Sequence, residues 1–257
     1  MPSAFQCRLE WHEAIPSTSA LLLERAGAAD FHGTVISAHR QTQGRGRRGR
    51  TWETGEGNLA FSVGFRVAHA DQDKLPYFPL CAGIAVHRAI SEFLAPEAAR
   101  ELDLKWPNDL AWRGKKLMGL LSQARTLDGA TYLSIGIGIN IAWAPLALPA
   151  VALTQMPLAA NYSADSPPPK EAVLARVLAA IEATHAHWND FAFVKHEWET
   201  RAHYLGKRIF FGLLEKENEM EAAMALGLDK TGALRVKLEA SGKEQLLSTE
   251  DLSLRLG

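Results

Sequence analysis

The chain is 257 residues long, 47% apolar, 8% aromatic and 22% charged, with 20 Gly and 12 Pro. That globular balance excludes disordered, collagen-like and coiled-coil proteins. Its 28 Lys and Arg against 29 Asp and Glu leave a net charge of −1, which argues against a dedicated nucleic-acid binder.

Two cysteines, Cys7 and Cys81, are too few for a disulfide framework and read as reduced and buried. Residues 1–13 show no basic-then-apolar signal segment, so the cytoplasm is the expected compartment. Ser17-Thr18 ahead of Leu21-Leu22-Leu23 and Gly27 reads as a capped helix. Strands are expected at 34–39 and 59–67. Apolar residues recur at helical spacing over 79–94. Three more strands follow at 102–106, 116–122 and 132–140. Residues 129–164 carry no charged side chain, a length that suggests a membrane span. Pro145, Pro149 and Pro157 would break any helix there, so the stretch reads as a buried strand running into an Ala/Pro-rich loop with no membrane role. The run Ser163-Ala-Asp-Ser-Pro-Pro-Pro169 punctuates the chain, and Leu174, Val177, Leu178, Ile181 and Trp188 then form the apolar stripe of a long helix. After Gly206 come short strands at 209–214, 221–228, 234–239 and 243–247, with turns at Glu217-Asn218, Lys230-Thr-Gly232 and Ser241-Gly242. The pattern predicts an α+β domain over 1–205 and a small β-barrel over 206–257.

The segment Arg40-Gln-Thr-Gln-Gly44-Arg-Gly-Arg-Arg-Gly49-Arg50 holds five Arg and no acid. Glycines let backbone approach a ligand and expose amides as an anion nest; guanidinium forks grip carboxylate and phosphate oxygens two at a time. Gly44-x-Gly46-x-x-Gly49 satisfies the dinucleotide fingerprint, and Gly44-x4-Gly49-Arg50-Thr51 is one Lys short of a P-loop. Both need a helix to begin at once, and Thr51-Trp-Glu-Thr-Gly-Glu-Gly57 does not supply one. Nucleic-acid contact and a solvated surface loop remain as alternatives. Lys105-Trp-Pro-Asn-Asp109 joins a strand end to a turn. Lys116 either points into a cavity or is one of two surface lysines on a hairpin. In Ile135-Gly-Ile-Gly-Ile-Asn140 the glycines either receive a flat ligand or serve strand packing. His185-x-His187 with Glu182 invites a metal reading, but no third ligand lies at metal-site spacing, and these histidines read as solvated or capping.

Gln41-Thr-Gln-Gly-Arg-Gly-Arg-Arg-Gly-Arg-Thr-Trp52, Lys105-Trp-Pro-Asn-Asp109, Lys116-Leu-Met-Gly119 and Gly136-Ile-Gly-Ile-Asn140, in that order, closely resemble the motifs of biotin protein ligases. Ser17-Thr18 also matches the family's Ser-Thr ahead of its first helix. The resemblance implies a mixed sheet with helices, related to class II aminoacyl-tRNA synthetases, followed by an SH3-like barrel. It implies a ligase that joins biotin to ATP as biotinyl-5′-AMP and then acylates one lysine of a biotin carboxyl carrier protein, with Mg²⁺ accompanying ATP.

By motif match, Ser17, Thr18, Gln41, Gly44, Arg45, Gly46 and Gly119 resemble biotin-binding positions, with Ser19 beside them and Gly136 and Gly138 as the floor. Arg47 and Lys116 resemble the residues that grip the biotin carboxylate and the adenylate phosphate, and carry the catalytic electrostatics. Arg50, Trp52, Asn108 and Asn140 look like the nucleotide side, and Asp109 like a contributor to Mg²⁺-assisted binding; no protein metal site is expected. Ser19 stands where many relatives carry Asn, Gln43 where some have Ala, and Gln123 at a spot often filled by Glu. The residues before Ser17 are too few for the winged helix-turn-helix of repressor-type ligases, so no DNA binding is expected. The family includes monomers and dimers formed by sheet-edge pairing, which leaves a homodimer open. A lipoate ligase and a nucleic-acid module are the rival readings.

Overall fold

Period-two alternation of apolar residues builds a seven-stranded sheet in the computed structural model, which describes residues 5–213, 220–247 and 252–256. Its strands are β1 (Arg8–Ile15), β2 (Thr34–Gln41), β3 (Leu59–Ala68), β4 (Leu102–Lys105), β5 (Asp109–Trp112), β6 (Lys115–Leu127) and β7 (Ala130–Ile139). They lie in the order β1-β2-β3-β7-β6-β5-β4. β1 and β2 run parallel and the remaining neighbours antiparallel, so the sheet is mixed, as expected. The helices are α1 (Thr18–Glu24), α2 (Tyr77–Ser91), α3 (Pro96–Ala99), α4 (Lys170–Thr184) and α5 (Phe191–Glu199).

The alternation sorts the sheet into two unlike faces. Phe61, Val63 and Phe65 of β3 and Ile135, Ile137 and Ile139 of β7 enter the main core with α2 and α4. Their chain neighbours Ser62, Ser134, Gly136 and Gly138 therefore face the other way, where α1 packs over β2, β3 and β7. A smaller cluster of Leu22, Phe31, Ile36 and Tyr132 holds α1 down on this second face. The glycine-rich part of the sheet is thus left open beside the end of α1.

A second sheet follows, made of β8 (Arg208–Leu213), β9 (Glu221–Leu228), β10 (Leu234–Leu238), β11 (Glu244–Leu247) and β12 (Leu252–Leu256). Its order is β11-β10-β9-β8-β12 with antiparallel neighbours, which fits the small SH3-like module. Ile209, Phe211, Ala223, Ala225, Leu234 and Val236 belong to the same core as the large sheet. The indole N–H of Trp106 donates to the carbonyl of Gly232 at 3.1 Å, tying the two sheets together. The expected turn at Glu217-Asn218, like Leu214, lies outside the described residues.

Among the elements not foreseen, α3 spans only four residues. β1 carries Arg8, Glu10 and Glu13, because an edge strand keeps one side in water and needs no apolar run. β5 has only four residues and β12 five, too short for periodicity to register. The long helix read through Trp188 ends at Thr184 and continues as a 3₁₀ turn, and Asp190 then caps α5 by accepting from the amides of Ala192 and Phe193 at 2.9 and 3.4 Å.

His185 corrects the expectation of a solvated or capping residue. Its ring stacks on Phe5 at 4.1 Å between centroids and lies 5.7 Å from both Phe65 and Trp188. Burial, then the neighbouring His32, lowers its pKa to about 4. Cys7 is only partly buried, whereas Cys81 is buried.

Above the ordinary histidine value of 6.5, His185 is neutral both folded and unfolded. Between about 6.5 and about 4 the unfolded chain takes up a proton that the folded chain refuses, so stability falls as pH drops. His87, lowered to about 3 by burial first and by Arg201 next, acts in the same direction. The melting temperature is expected to decline from pH 7 to pH 5, and His185→Phe is expected to flatten that decline; an unchanged slope would locate the acid sensitivity elsewhere.

Candidate active site

α1 begins where Ser17 accepts the amide of Ala20 at 3.4 Å, a helix cap. The cap aims Thr18 and Ser19 at the glycine face of the sheet. Ser17, Thr18 and Ser19 are each 3% exposed. A line of hydroxyls follows: Thr18 lies 2.7 Å from Ser62, which lies 3.2 Å from Ser19, which lies 3.1 Å from Ser134. The side-chain carbonyl of Gln41 accepts from the amide of Thr18 at 2.8 Å and from its hydroxyl at 3.2 Å, while its amide donates to Thr54 at 3.1 Å. Gly136 leaves room for this network, since a Cβ there would stand 2.9 Å from the Ser19 hydroxyl.

The arginine loop folds into a tight hairpin. Gly46 donates its amide to Arg50 at 2.7 Å and Trp52 donates to Gly44 at 3.0 Å, with Arg48 at the tip in left-handed backbone (φ 61°). No helix follows, so the dinucleotide and P-loop readings lose their structural context. Arg45, Arg48 and Arg50 are exposed. The hairpin overhangs a cavity of about 640 Å³ whose far wall is Leu121 and Gln123 of β6. Arg47 turns the other way, and its guanidinium donates to the side-chain oxygen of Asn108 at 3.0 Å.

Asn108 sits in the turn between β4 and β5, after a cis Trp106–Pro107 bond. Its amide donates to Leu120 at 2.6 Å and its main-chain carbonyl accepts from Leu120 at 2.8 Å. The turn is therefore stitched to β6 and in turn holds Arg47. One residue on, Asp109 lies 2.7 Å from the ammonium of Lys116, an ion-pair contact without hydrogen-bond alignment. The same ammonium stands over the Trp52 ring, 5.6 Å from its centroid. The main chain of Lys116 is fixed independently, donating to Pro149 at 2.8 Å and accepting from Val151 at 3.0 Å. The Asn140 amide is directed at the carbonyls of Lys116 and Val151, both at 3.4 Å. It thus braces the backbone of the lysine.

The flat group that lies on the glycine strand is the chain's own indole. Trp52 covers Gly138, where a Cβ would strike the ring, and reaches Gly119. The Trp52 ring N–H is buried without a hydrogen-bond partner. Lys105, opposite Asp109 in the β4–β5 pair, has its pKa lowered by burial first, with Asp109 opposing and Lys116 and Arg255 adding to the shift. Lys105 and Lys116 thus flank the carboxylate of Asp109, while Arg47 is held one residue away by Asn108.

Motif reading passed over Asn58, Ser62, Ser134 and Trp143. Asn58 is 1% exposed. Its side-chain oxygen accepts from the amides of Ile141, Ala142 and Trp143 at 2.9, 3.0 and 3.3 Å, and its amide donates to the Trp143 carbonyl at 3.0 Å. The only signal for it was a polar residue directly ahead of an apolar strand. Asn58→Ala leaves these buried groups unpaired, and a loss of roughly 2–4 kcal/mol in unfolding free energy is expected. Urea denaturation checks this; a loss below about 0.5 kcal/mol would mean that the loop re-pairs with water.

The model of the biotin/lipoate A/B protein ligase family matches residues 11–140. The chain belongs to this family. The match runs from β1 through Asn140, so it includes α1, the arginine hairpin, the β4–β5 turn, Lys116 and the glycine strand. The biotin–[acetyl-CoA-carboxylase] ligase of Mycobacterium tuberculosis is 31% identical over 241 residues, 92% of this chain and 85% of that protein. The biotin protein ligase of Aquifex aeolicus, solved with biotin and ATP, superposes with a TM-score of 0.74 at 27% identity, covering 97% of this chain and 99% of the other. The Leishmania major enzyme with biotinyl-5-AMP superposes with a TM-score of 0.62 at 26% identity, covering 94% and 99%. The site holds several cations, Arg45, Arg47, Arg50 and Lys116 among them. Two of them, Arg47 and Lys116, come from different elements and are each braced by a second residue, an arrangement suited to two adjoining anions.

Proposed function

We infer that this chain is a biotin–protein ligase: it activates biotin with ATP to biotinyl-5′-AMP, releases diphosphate, and transfers biotin to a lysine of a biotin carboxyl carrier protein. The observation that carries the reading is the approach of Arg47, held by Asn108, and Lys116, held by Asp109, to one end of a glycine-floored face. A carboxylate oxygen must attack the α-phosphorus, forming the mixed anhydride as the bond to diphosphate breaks. Each unit-charge pair at about 4 Å costs on the order of 4 kcal/mol at an effective dielectric near 20, a slowing of roughly a thousandfold. Fixed cations offset that repulsion and stabilise charge on the phosphorus in flight. The acceptor amine then attacks the carbonyl and AMP leaves.

In this reading Arg47 and Lys116 supply the electrostatics. Thr18, Gln41, Gly44, Arg45, Gly46 and Gly119, with Ser17 and Ser19 behind them and Gly136 alongside, frame the biotin side. Arg50, Trp52, Asn108 and Asn140 frame the nucleotide side, Asn140 acting through the backbone of Lys116. Trp52 on Gly138 forms the wall between the two.

Mg²⁺ enters with ATP. Among the described residues no cluster of three His, Cys, Asp or Glu is placed to hold a metal. Asp109 offers a single carboxylate, a donor set that suits an ion carried mainly by substrate phosphates, whose charge it neutralises. The proposed compartment is the cytoplasm; no helix among the described residues is long and apolar enough to cross a membrane.

The test is incubation of purified protein with ATP and either biotin or lipoate, reading diphosphate release and the adenylate. Adenylate from biotin supports the assignment. Adenylate from lipoate alone would move the chain to the other branch of its family.

A further inference from the structure

Gln123 joins no motif and no role described so far, yet its placement is specific. Gly119, Leu121 and Gln123 of β6 pair with Gly138, Gly136 and Ser134 of β7. Cross-strand partners share a face, so Gln123 lies on the site face, two rungs beyond the glycines that carry Trp52. It forms part of the wall of the cavity beneath the arginine hairpin, opposite Arg45 and Arg48. Its side-chain oxygen is shielded from solvent and accepts no hydrogen bond. A buried acceptor without a donor is costly and is normally supplied with one. The hairpin above it consists almost wholly of donors, guanidinium groups and amides.

We propose that Gln123 is the latch of the arginine hairpin, its side-chain oxygen accepting an N–H from the guanidinium of Arg45 or Arg48 when the loop closes over bound anions. It is a positioning residue, acting on substrate through the loop. The choice of an amide has a physical consequence. A carboxylate at this position would fill the same acceptor role while also pairing with the cation. A neutral acceptor orients the guanidinium and leaves its charge available.

The inference rests on the biotin-ligase reading for the identity of the anions, so two readouts are kept separate. Biotin-dependent exchange of diphosphate into ATP by the wild-type protein tests the reading. Trypsin cleavage within the hairpin, which offers arginines at its tip, tests the latch. Biotin with ATP is expected to protect the wild-type loop. In Gln123→Leu, liganded cleavage is expected to be about tenfold faster than in wild type, the size of one lost hydrogen bond to a charged group. KM for both substrates should rise more than kcat falls, and the melting temperature should be unchanged. Gln123→Glu, which keeps an acceptor, is expected to keep the latch, with liganded cleavage at least as slow as in wild type. Wild-type protection in Gln123→Leu, loss of protection in Gln123→Glu, or a wild-type loop that ligands do not protect would overturn the latch whatever the exchange assay shows.

Discussion

Lys116→Ala is expected to slow biotinyl-5′-AMP formation by a factor of about 10²–10³ or more, the usual cost of removing a charge aimed at reacting oxygens. The structure makes this substitution unusually clean. What Lys116 contributes to the fold comes mainly from its main chain, through Pro149, Val151 and the Asn140 amide, which alanine keeps; the ion pair with Asp109 that it removes is partly exposed and of the kind that adds little stability. The melting temperature should therefore hardly move while the adenylation rate collapses. Lys116→Arg should restore little, because a planar fork cannot occupy the niche beside Asp109 and above the Trp52 ring as a compact ammonium does. Near-normal turnover by Lys116→Ala, measured as adenylate formed in a single turnover, would remove the lysine from the chemistry.

Trp188→Ala is expected to give the largest loss of stability, roughly 3–5 kcal/mol. The side chain is 1% exposed. It lies 5.0 Å from Phe65 and 5.7 Å from Phe78 between ring centroids, and its ring N–H donates to Thr184 at 3.0 Å. Truncation would empty the place where β3, α2 and the end of α4 meet, and also leave the Thr184 hydroxyl without its donor. At about 2–4 °C per kcal/mol for a chain of this size, the melting temperature should fall by roughly 6–20 °C. Trp188→Phe should retain much of the packing. A drop below about 3 °C for the alanine variant would show that the core closes over the gap.

Much of this was legible in the sequence, for reasons that can be traced to particular residues. Ser17 signals a helix start by itself, because capping is chemistry between near neighbours. The alternation Ile135, Ile137, Ile139 against Gly136 and Gly138 announces a strand with one apolar face and one bare face. The failure of a helix to follow Gly49 could be read from Gly55 and Gly57. What was hidden depends on register. Ser62 and Ser134 look like incidental polar residues in apolar strands until β3 and β7 pair and α1 lowers Ser19 between them. Asn58 acts on amides more than eighty positions away, a relation that no local pattern carries. Trp52 as the cover of Gly138 is likewise a matter of folding, since the sequence shows a tryptophan after an arginine run and separately a glycine strand. His185 was misjudged because its neighbours along the chain, His187 and Glu182, are polar, whereas its neighbours in space are Phe5 and Phe65.

The Trp106 indole, bonded to Gly232, sits two residues before the asparagine that steadies Arg47. Its main-chain amide also takes a bond, donating to the hydroxyl of Tyr204 at 3.1 Å. The last fifth of the polypeptide is thus fastened to the very turn on which the arginine depends. Chimeras that exchange C-terminal modules between relatives should keep their chemistry only when the graft preserves that fastening, and a mismatched graft should fail first in forming the anhydride, before any protein acceptor is involved.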